Sequence, residues 1–415
     1  MDRAQAGFRR SLALDPSSFS ARFGLASVLL DDGAVQEAAA IAAQMASDAA
    51  DRPEVLWLQA RIAHGRGDAS GAHRTLTRLL RDRRLKPAQL AEASLLQGLA
   101  LGDLGESTEA FAMASRGKRI QREIYAAQAA GRESEIAKLS RLGTWLRSAS
   151  AEWGLSCPDT PGAAASHVFL LGFPRSGTTL LEQVLATHPR VSTLEEAPTL
   201  ATAYQAFLSG PDACAALITL GPDEAAAWID HYWKNVRSRG IDIDGRVFID
   251  KQPAGTSCLP VIARLFPRAR ILFALRDPRD VVLSCFRQAF QMNAMTFAFT
   301  DLPETAACYD ACMRLAQQAR ARLPLAWIDV RHEALVEDFD AELRRILDFL
   351  ALEPFPAMAE FAQAAGARTI RTPSAQQVRA GLNRRGLGRW RNYESELGPV
   401  LSILAPWVEA FGYQL

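Results

Sequence analysis

One stretch limits what this chain can fold into more than any other: HVFLLGFPRSGTTLLEQVL, from His167 to Leu185. It begins as an unbroken apolar run of strand composition, bends through two glycines, and resumes with apolar residues at helical spacing. The segment Gly172-Phe-Pro-Arg-Ser-Gly177-Thr178-Thr179 has the glycine spacing of a phosphate-binding P-loop. A strand, a tight turn and a helix N-terminus in that order aim several backbone N–H groups at one anion, and the helix dipole adds to the pull. A nucleotide triphosphatase carries Lys after the second glycine, where it reaches the outer phosphates. This chain has Thr178 there, so a triphosphate with its Mg²⁺ loses a principal partner. Arg175, inside the loop, brings a fixed positive charge instead.

After the loop the pattern alternates. Apolar runs at His167 to Phe173, Arg246 to Ile249, Arg270 to Leu275 and Leu325 to Val330 are short, and helical periods follow them. That pattern predicts buried parallel strands joined by helices: an α/β P-loop domain of three layers around a central parallel sheet, over residues 163–415. The segment SCPDTPGAAAS reads as a linker, and residues 121–162 as a whole read as a helical connector ending in it. Residues 1–120 are helical throughout and they repeat. Small residues recur at Ala26, Ala60 and Gly98, glycines at Gly33, Gly67 and Gly105, and alanines at Ala38, Ala72 and Ala110. The interval is 34 residues and then 38, with the same internal offsets, and Leu25, Leu29, Ile62 and Leu101 supply apolar side chains between them. Small residues where helices cross, with a glycine turn between, describe a packed helical hairpin. This part resembles the tetratricopeptide repeat, and LALDP at Leu12 to Pro16 reads as the end of a preceding repeat's second helix. That repeat's first helix is missing, so the chain is expected to be truncated or to start early.

Composition removes other classes. The 415 residues hold 47 Lys and Arg against 46 Asp and Glu, a net charge of +1, so no basic excess marks a nucleic-acid binder. Any grip on a phosphorylated ligand has to come from a local cluster of arginines. Six cysteines are spread along the chain without a CxxC pair; Cys308 and Cys312 share a helix face but lack a second pair of ligands, so they read as buried free thiols. No apolar signal core opens the chain and no run is long enough for a membrane span, which makes a reduced, cytoplasmic location the expectation.

With the loop, a second element narrows the reading further. LFALRDPRDVVLSCF ends a strand on Arg276 and places Ser284 on the following helix, where both can face one anion. PRSGTT after a strand, joined to this element, resembles the sulfotransferases, and the order of motifs over roughly residues 165–415 is closest to the protein-tyrosine sulfotransferases and their repeat-linked bacterial relatives. The resemblance implies 3′-phosphoadenosine 5′-phosphosulfate as donor and adenosine 3′,5′-bisphosphate as product, without a metal. It assigns Arg175, Ser176, Gly177, Thr178 and Thr179 to the 5′-phosphosulfate, and Arg276 and Ser284 to the 3′-phosphate. It also implies a catalytic Glu196 in THPRVSTLEEAP, beside Glu195, a Lys251 in FIDKQP, a Ser374 in TPSAQQV and a basic residue before Trp at Arg389. A Tyr usual in the family is replaced by His332, and an Arg expected after Ser284 is replaced by Gln288, with Arg287 adjacent.

Sulfuryl transfer needs a base for the acceptor hydroxyl, which Glu196 can supply, and positive charge for the leaving phosphate oxygen, which Lys251 and Arg175 can supply. Peptide tyrosine is the favoured acceptor, with a glycan hydroxyl or a small phenol as the other choices. The helical repeats are expected to hold a protein or peptide acceptor, and the resemblance implies a homodimer. Two other classes stay open on the residues alone: a P-loop kinase, and a non-enzymatic repeat scaffold carrying a decayed transferase domain.

Overall fold

The computed structural model describes residues 2–149, 164–210, 213–361, 381–382 and 384–414. Eight helices come first: α1 (Asp2–Leu14), α2 (Phe19–Asp31), α3 (Val35–Ala49), α4 (Pro53–Gly65), α5 (Ala69–Leu79), α6 (Pro87–Asp103), α7 (Ser107–Ala129) and α8 (Glu135–Ser148). The repeating glycines close the hairpins α2–α3, α4–α5 and α6–α7. Gly33, Gly67 and Gly105 sit at φ 80°, 78° and 89°, the left-handed region that a side chain disfavours. The small residues lie where the helices cross: Ala26, Ala60, Ala38, Ala72 and Ala110 are fully buried. At Gly98 a Cβ would come within 2.7 Å of the Ala110 carbonyl oxygen, so α6 and α7 touch backbone to backbone. The longer second interval arises between hairpins, where the link from α5 to α6 is longer than that from α3 to α4. The region is helical throughout and fits a repeat domain.

Each hairpin buries its apolar face on the next. Ala42 and Met45 pack with Val55, Leu58 and Ile62, while Leu56, Ala60 and Leu76 pack with Ala93. The third hairpin is different, because Leu95, Leu101, Ala110 and Ala114, with Leu139, Leu142 and Leu146 of α8, join the large core of the following domain. Polar contacts reinforce that junction: Lys118 Nζ donates to the Gln288 carbonyl at 2.7 Å, and Arg287 Nη2 to the Gly98 carbonyl at 3.2 Å.

The sheet holds β1 (Ser166–Gly172), β2 (Val191–Glu195), β3 (Val247–Lys251), β4 (Arg270–Leu275) and β5 (Ala326–Arg331). Its order is β2-β3-β1-β4-β5 and every neighbouring pair is parallel. The strand that feeds the loop is therefore central, with Leu170 opposite Lys251 and Gly172 opposite Ala274. Between and after the strands come α9 (Thr178–Leu185), α10 (Ala201–Leu208), α11 (Ala213–Thr219), α12 (Pro222–Arg237) and α13 (Leu259–Leu265). They are followed by α14 (Pro278–Arg287), α15 (Ala294–Ala298), α16 (Leu302–Arg322), α17 (His332–Glu337), α18 (Phe339–Leu350) and α19 (Glu394–Ala410).

Strand alternation divides these helices into two layers. Phe169, Leu171 and Phe273 face one core, shared with α14, α16 and α19. Val168, Leu170 and Leu272 face the other, shared with α9 and α18. The expected three-layer α/β arrangement is what forms. Four strands coincide with the apolar runs to within a residue or two at each end. The fifth, β2, lies inside THPRVSTLEEAP and has no apolar run, because Ser192 and Thr193, both half-buried, stand between Val191 and Leu194. Cys308 and Cys312 are fully buried on α16, and burial pushes the Cys312 thiol up to about 12. Among the described residues no helix is long and apolar enough to cross a membrane.

Candidate active site

The loop at the end of β1 is held in an unusual backbone shape. Gly172 and Gly177 have φ 157° and 96°, and between them Arg175, which has a side chain, is also left-handed at φ 73°. A Cβ on Gly172 would lie 2.8 Å from the Ala274 carbonyl, so only glycine lets the loop leave β1 beside β4. Ser176, Thr178 and Thr179 are buried, and Thr178 opens α9. Arg175 Nε donates to Ser284 Oγ at 2.9 Å, which ties the loop to α14. Arg276, at the end of β4, donates from Nη1 to the Arg175 carbonyl at 3.2 Å and from Nη2 to the Gly386 carbonyl. The predicted pair Arg276 and Ser284 therefore meets the loop from the neighbouring strand.

Asp280 organises the far wall. Its Oδ2 accepts from Gly388 N at 2.7 Å and its Oδ1 from Trp390 N at 2.8 Å, while Oδ2 is 3.7 Å from Arg276. That carboxylate brings the C-terminal segment against the loop. His332, at the end of β5, presses on Gly177: a Cβ there would lie 2.6 Å from Nδ1, an atom without a hydrogen-bond partner among the described residues. Burial, then Arg276 and Arg175, pull the imidazole down to about 3, so it is neutral beside two cations. Burial and Arg276 likewise pull the Arg175 guanidinium down to about 10, which leaves it charged at neutral pH.

Lys251 closes β3 next to the loop strand and is fully buried. Its Nζ lies 2.9 Å from Glu196 Oε1, 3.2 Å from Glu195 Oε1 and 3.2 Å from Glu182 Oε2. Consecutive residues on a strand point to opposite faces. Glu195 and Glu196 both reach one lysine because the backbone turns left-handed at Glu196, φ 47°, just where β2 ends. A non-glycine residue held there stores strain, a feature that collects at functional sites. The turn is pinned from β3: Thr199 Oγ1 donates to Asp250 Oδ2 at 2.6 Å, Gln252 Nε2 to the Ala197 carbonyl, and Glu196 N to the Lys251 carbonyl at 2.9 Å. Burial raises Asp250 to about 6, with Thr199 and Tyr232 hydrogen bonds opposing.

The structure thus brings Arg175, Ser176, Gly177, Thr178, Thr179, Arg276 and Ser284 together at one strand end, and Lys251 with Glu196 at the adjacent one. Arg389 turns to the helical region, where its Nη2 pairs with Asp103 of α6 at 2.8 Å. Ser374 lies outside the described residues. Arg287 lies over the Tyr393 ring and bonds α6, and the carbonyl of Gln288 is taken by Lys118. Sequence reasoning missed Glu182, Asp250 and Asp280. Asp280 sits in the RDPRD run and Asp250 just before Lys251, so proximity to a motif was the available signal; Glu182 looks like an ordinary helix position.

Residues 167–357 match the sulfotransferase family. A protein of Aquifex aeolicus is 28% identical over 246 residues, which is 57% of this chain and 32% of that protein. A protein-tyrosine sulfotransferase homologue of Caenorhabditis briggsae is 25% identical over 254 residues, 59% of this chain and 88% of that protein. A nodulation protein of Sinorhizobium fredii is 30% identical over 210 residues, 45% of this chain and 50% of that protein. The matched stretch therefore spans about a third of the first relative and half of the third. Among solved structures, the sulfotransferase domain from the curacin biosynthetic pathway is 18% identical with a TM-score of 0.35, covering 56% of this chain and 97% of that one. A sulfotransferase from Mycobacterium avium is 13% identical with a TM-score of 0.36, covering 84% of this chain and 97% of that one.

Proposed function

We propose that the region matching the sulfotransferase family, residues 167–357, moves the sulfuryl group of 3′-phosphoadenosine 5′-phosphosulfate to an acceptor hydroxyl, peptide tyrosine being favoured over a glycan or a small phenol. The observation that carries this reading is the joining of two half-sites at neighbouring strand ends. One is a P-loop with an internal arginine and no lysine after its second glycine; the other is a lysine in contact with a half-exposed glutamate. The first suits the donor's 5′-phosphosulfate, held by the loop N–H groups, Arg175 and the start of α9. Arg276 and Ser284 are assigned to the 3′-phosphate.

Transfer in line with the departing phosphate oxygen places negative charge on that oxygen as the acceptor loses its proton. Glu196, the most exposed of the three carboxylates on Lys251 at 45% of its side chain, takes that proton. Lys251 and Arg175 stabilise the oxygen that leaves, as cationic clamps do in phosphoryl transfer. Ser374 is assigned to the same reaction, and Arg389 to the nucleotide, on the resemblance alone. The front hairpins are proposed to hold a macromolecular acceptor, in a cytoplasmic homodimer.

The decisive test is a labelled-donor assay against peptides, saccharides and phenols. Stabilisation of the protein by adenosine 3′,5′-bisphosphate without Mg²⁺ is the expected companion result. Stabilisation only by ATP with Mg²⁺ would favour a kinase, and no response to either would favour the scaffold.

A further inference from the structure

Lys251 has more anionic partners than its charge can balance. With Glu182, Glu195 and Glu196 all within 3.2 Å of its Nζ, full ionisation leaves the cluster at minus two. Water reaches the three unequally: the side chain of Glu182 is 2% exposed, that of Glu195 19% and that of Glu196 45%. Uncompensated charge is costly where solvent is excluded, so the carboxyl most withdrawn from water is the one that keeps a proton. Glu182 is that group. The charged groups that face it are Lys251 from β3 and Glu195 from β2, with the Thr193 hydroxyl as a further partner on β2. Burial pushes Glu182 up to about 7; Lys251 and Thr193 oppose the rise and Glu195 adds to it.

Glu182 also has a fixed place relative to the chemistry. It lies in the second turn of α9, the helix that the loop initiates, so the element that positions the loop also positions this carboxyl. We propose that Glu182 is a positioning residue that anchors the Lys251 ammonium and, by gaining or losing a proton, sets how much of that positive charge is left for the leaving oxygen. The proposal rests on the reading of Lys251 as the cation that meets that oxygen. With Glu182 protonated, Lys251 is shared by two carboxylates and its charge is the more available. With Glu182 ionised, the proton having gone to solvent, a third carboxylate competes for the same ammonium.

The experiment compares wild type with Glu182→Gln, which keeps the shape and removes the titration. In the wild type kcat is expected to fall about tenfold between about pH 6 and about pH 8.5, whereas the variant stays flat there and the donor KM differs by less than about twofold. A limb that persists in Glu182→Gln overturns the proposal. A second readout needs no sulfuryl transfer and so separates failure here from failure of the functional reading. The unfolding free energy of wild type relative to Glu182→Gln is expected to decline as pH rises from 4.5 to about 7 and to level off above, because a raised carboxyl stabilises the fold only while protonated. Parallel curves would overturn it. If the variant does not fold, carboxyl-carbon NMR of ¹³C-glutamate-labelled wild type serves: one glutamate titrating near pH 7 is expected, and none doing so refutes the assignment.

Discussion

Around the loop two guanidinium groups crowd together, and most of their named partners are neutral: Ser284 Oγ and the carbonyls of Arg175 and Gly386. One strand further along the sheet, a single ammonium is ringed by three carboxylates. The first half has positive charge to give to a ligand, and it shows the strain of holding that charge in the depressed Arg175 and the neutral His332. The second half already contains its counter-charge in excess. A region rich in cations is suited to hold an anion and to steady charge that builds on it; a region with surplus carboxylates around one cation is suited to exchange protons. Clustered guanidinium groups and clustered carboxylates thus fall to different strand ends.

Four substitutions and one control press on that division, beginning with the one of largest effect. Glu196→Gln should lower kcat by roughly 10²–10⁴ and leave adenosine 3′,5′-bisphosphate affinity nearly intact, as loss of a general base does. Glu195→Gln is its control and should be mild; if steady-state kinetics show the two exchanged, the proton acceptor is Glu195. Arg276→Ala should act on the other half, raising donor KM about ten- to a hundredfold, because a phosphate contact of ~1.5–3 kcal/mol is made in ground and transition states alike. Unchanged bisphosphate affinity by calorimetry would remove Arg276 from the anion site.

Asp280→Asn should be weaker again. It retains one acceptor for the Gly388 and Trp390 amides but loses the charge beside Arg276, so donor KM should rise about three- to tenfold with kcat kept. At neutral pH the smallest effect belongs to His332. Its folded-state value is depressed from 6.5 to about 3, so wild type loses stability as pH falls below 6.5, by roughly 1 kcal/mol per pH unit. His332→Gln should be free of that slope, as urea unfolding of the two at pH values on either side of 6 would show. Equal slopes would mean that burial and the loop cations do not hold the imidazole neutral.

Much of this was readable from residues in order, and the gaps have physical causes. Gly33, Gly67 and Gly105 could be placed because a left-handed turn leaves a mark at a fixed offset. The loop and three strands could be placed because buried parallel strands are continuously apolar, and β5 because it keeps an apolar stretch although it is an edge strand. β2 carries no such signature, since Ser192 and Thr193 interrupt its apolar residues. Lys251 was legible as a residue while its surroundings were not: Glu182 comes to it from α9 and Glu195 from β2, across sixty-nine and fifty-six positions of chain. The junction of the third hairpin was equally hidden, because Leu95 and Leu101 look the same whether the partner is another hairpin or the sheet.

That junction also governs how the front of the chain can change length. Hairpins that touch only their neighbours can be gained or lost without disturbing distant ones. Here the freedom is one-sided. Between α6 and α7 there is no room even for a methyl group at Gly98, and the same helices are fastened to α14 and to Arg389, so a unit inserted at that end would have to recreate a fitted seam. At the α1 end no such seam is present among the described residues, and Leu14, the last residue of α1, is exposed. The array can therefore lengthen outward like a mast stepped in a fixed base, extending its reach while the distance from the last hairpin to the reaction centre stays constant.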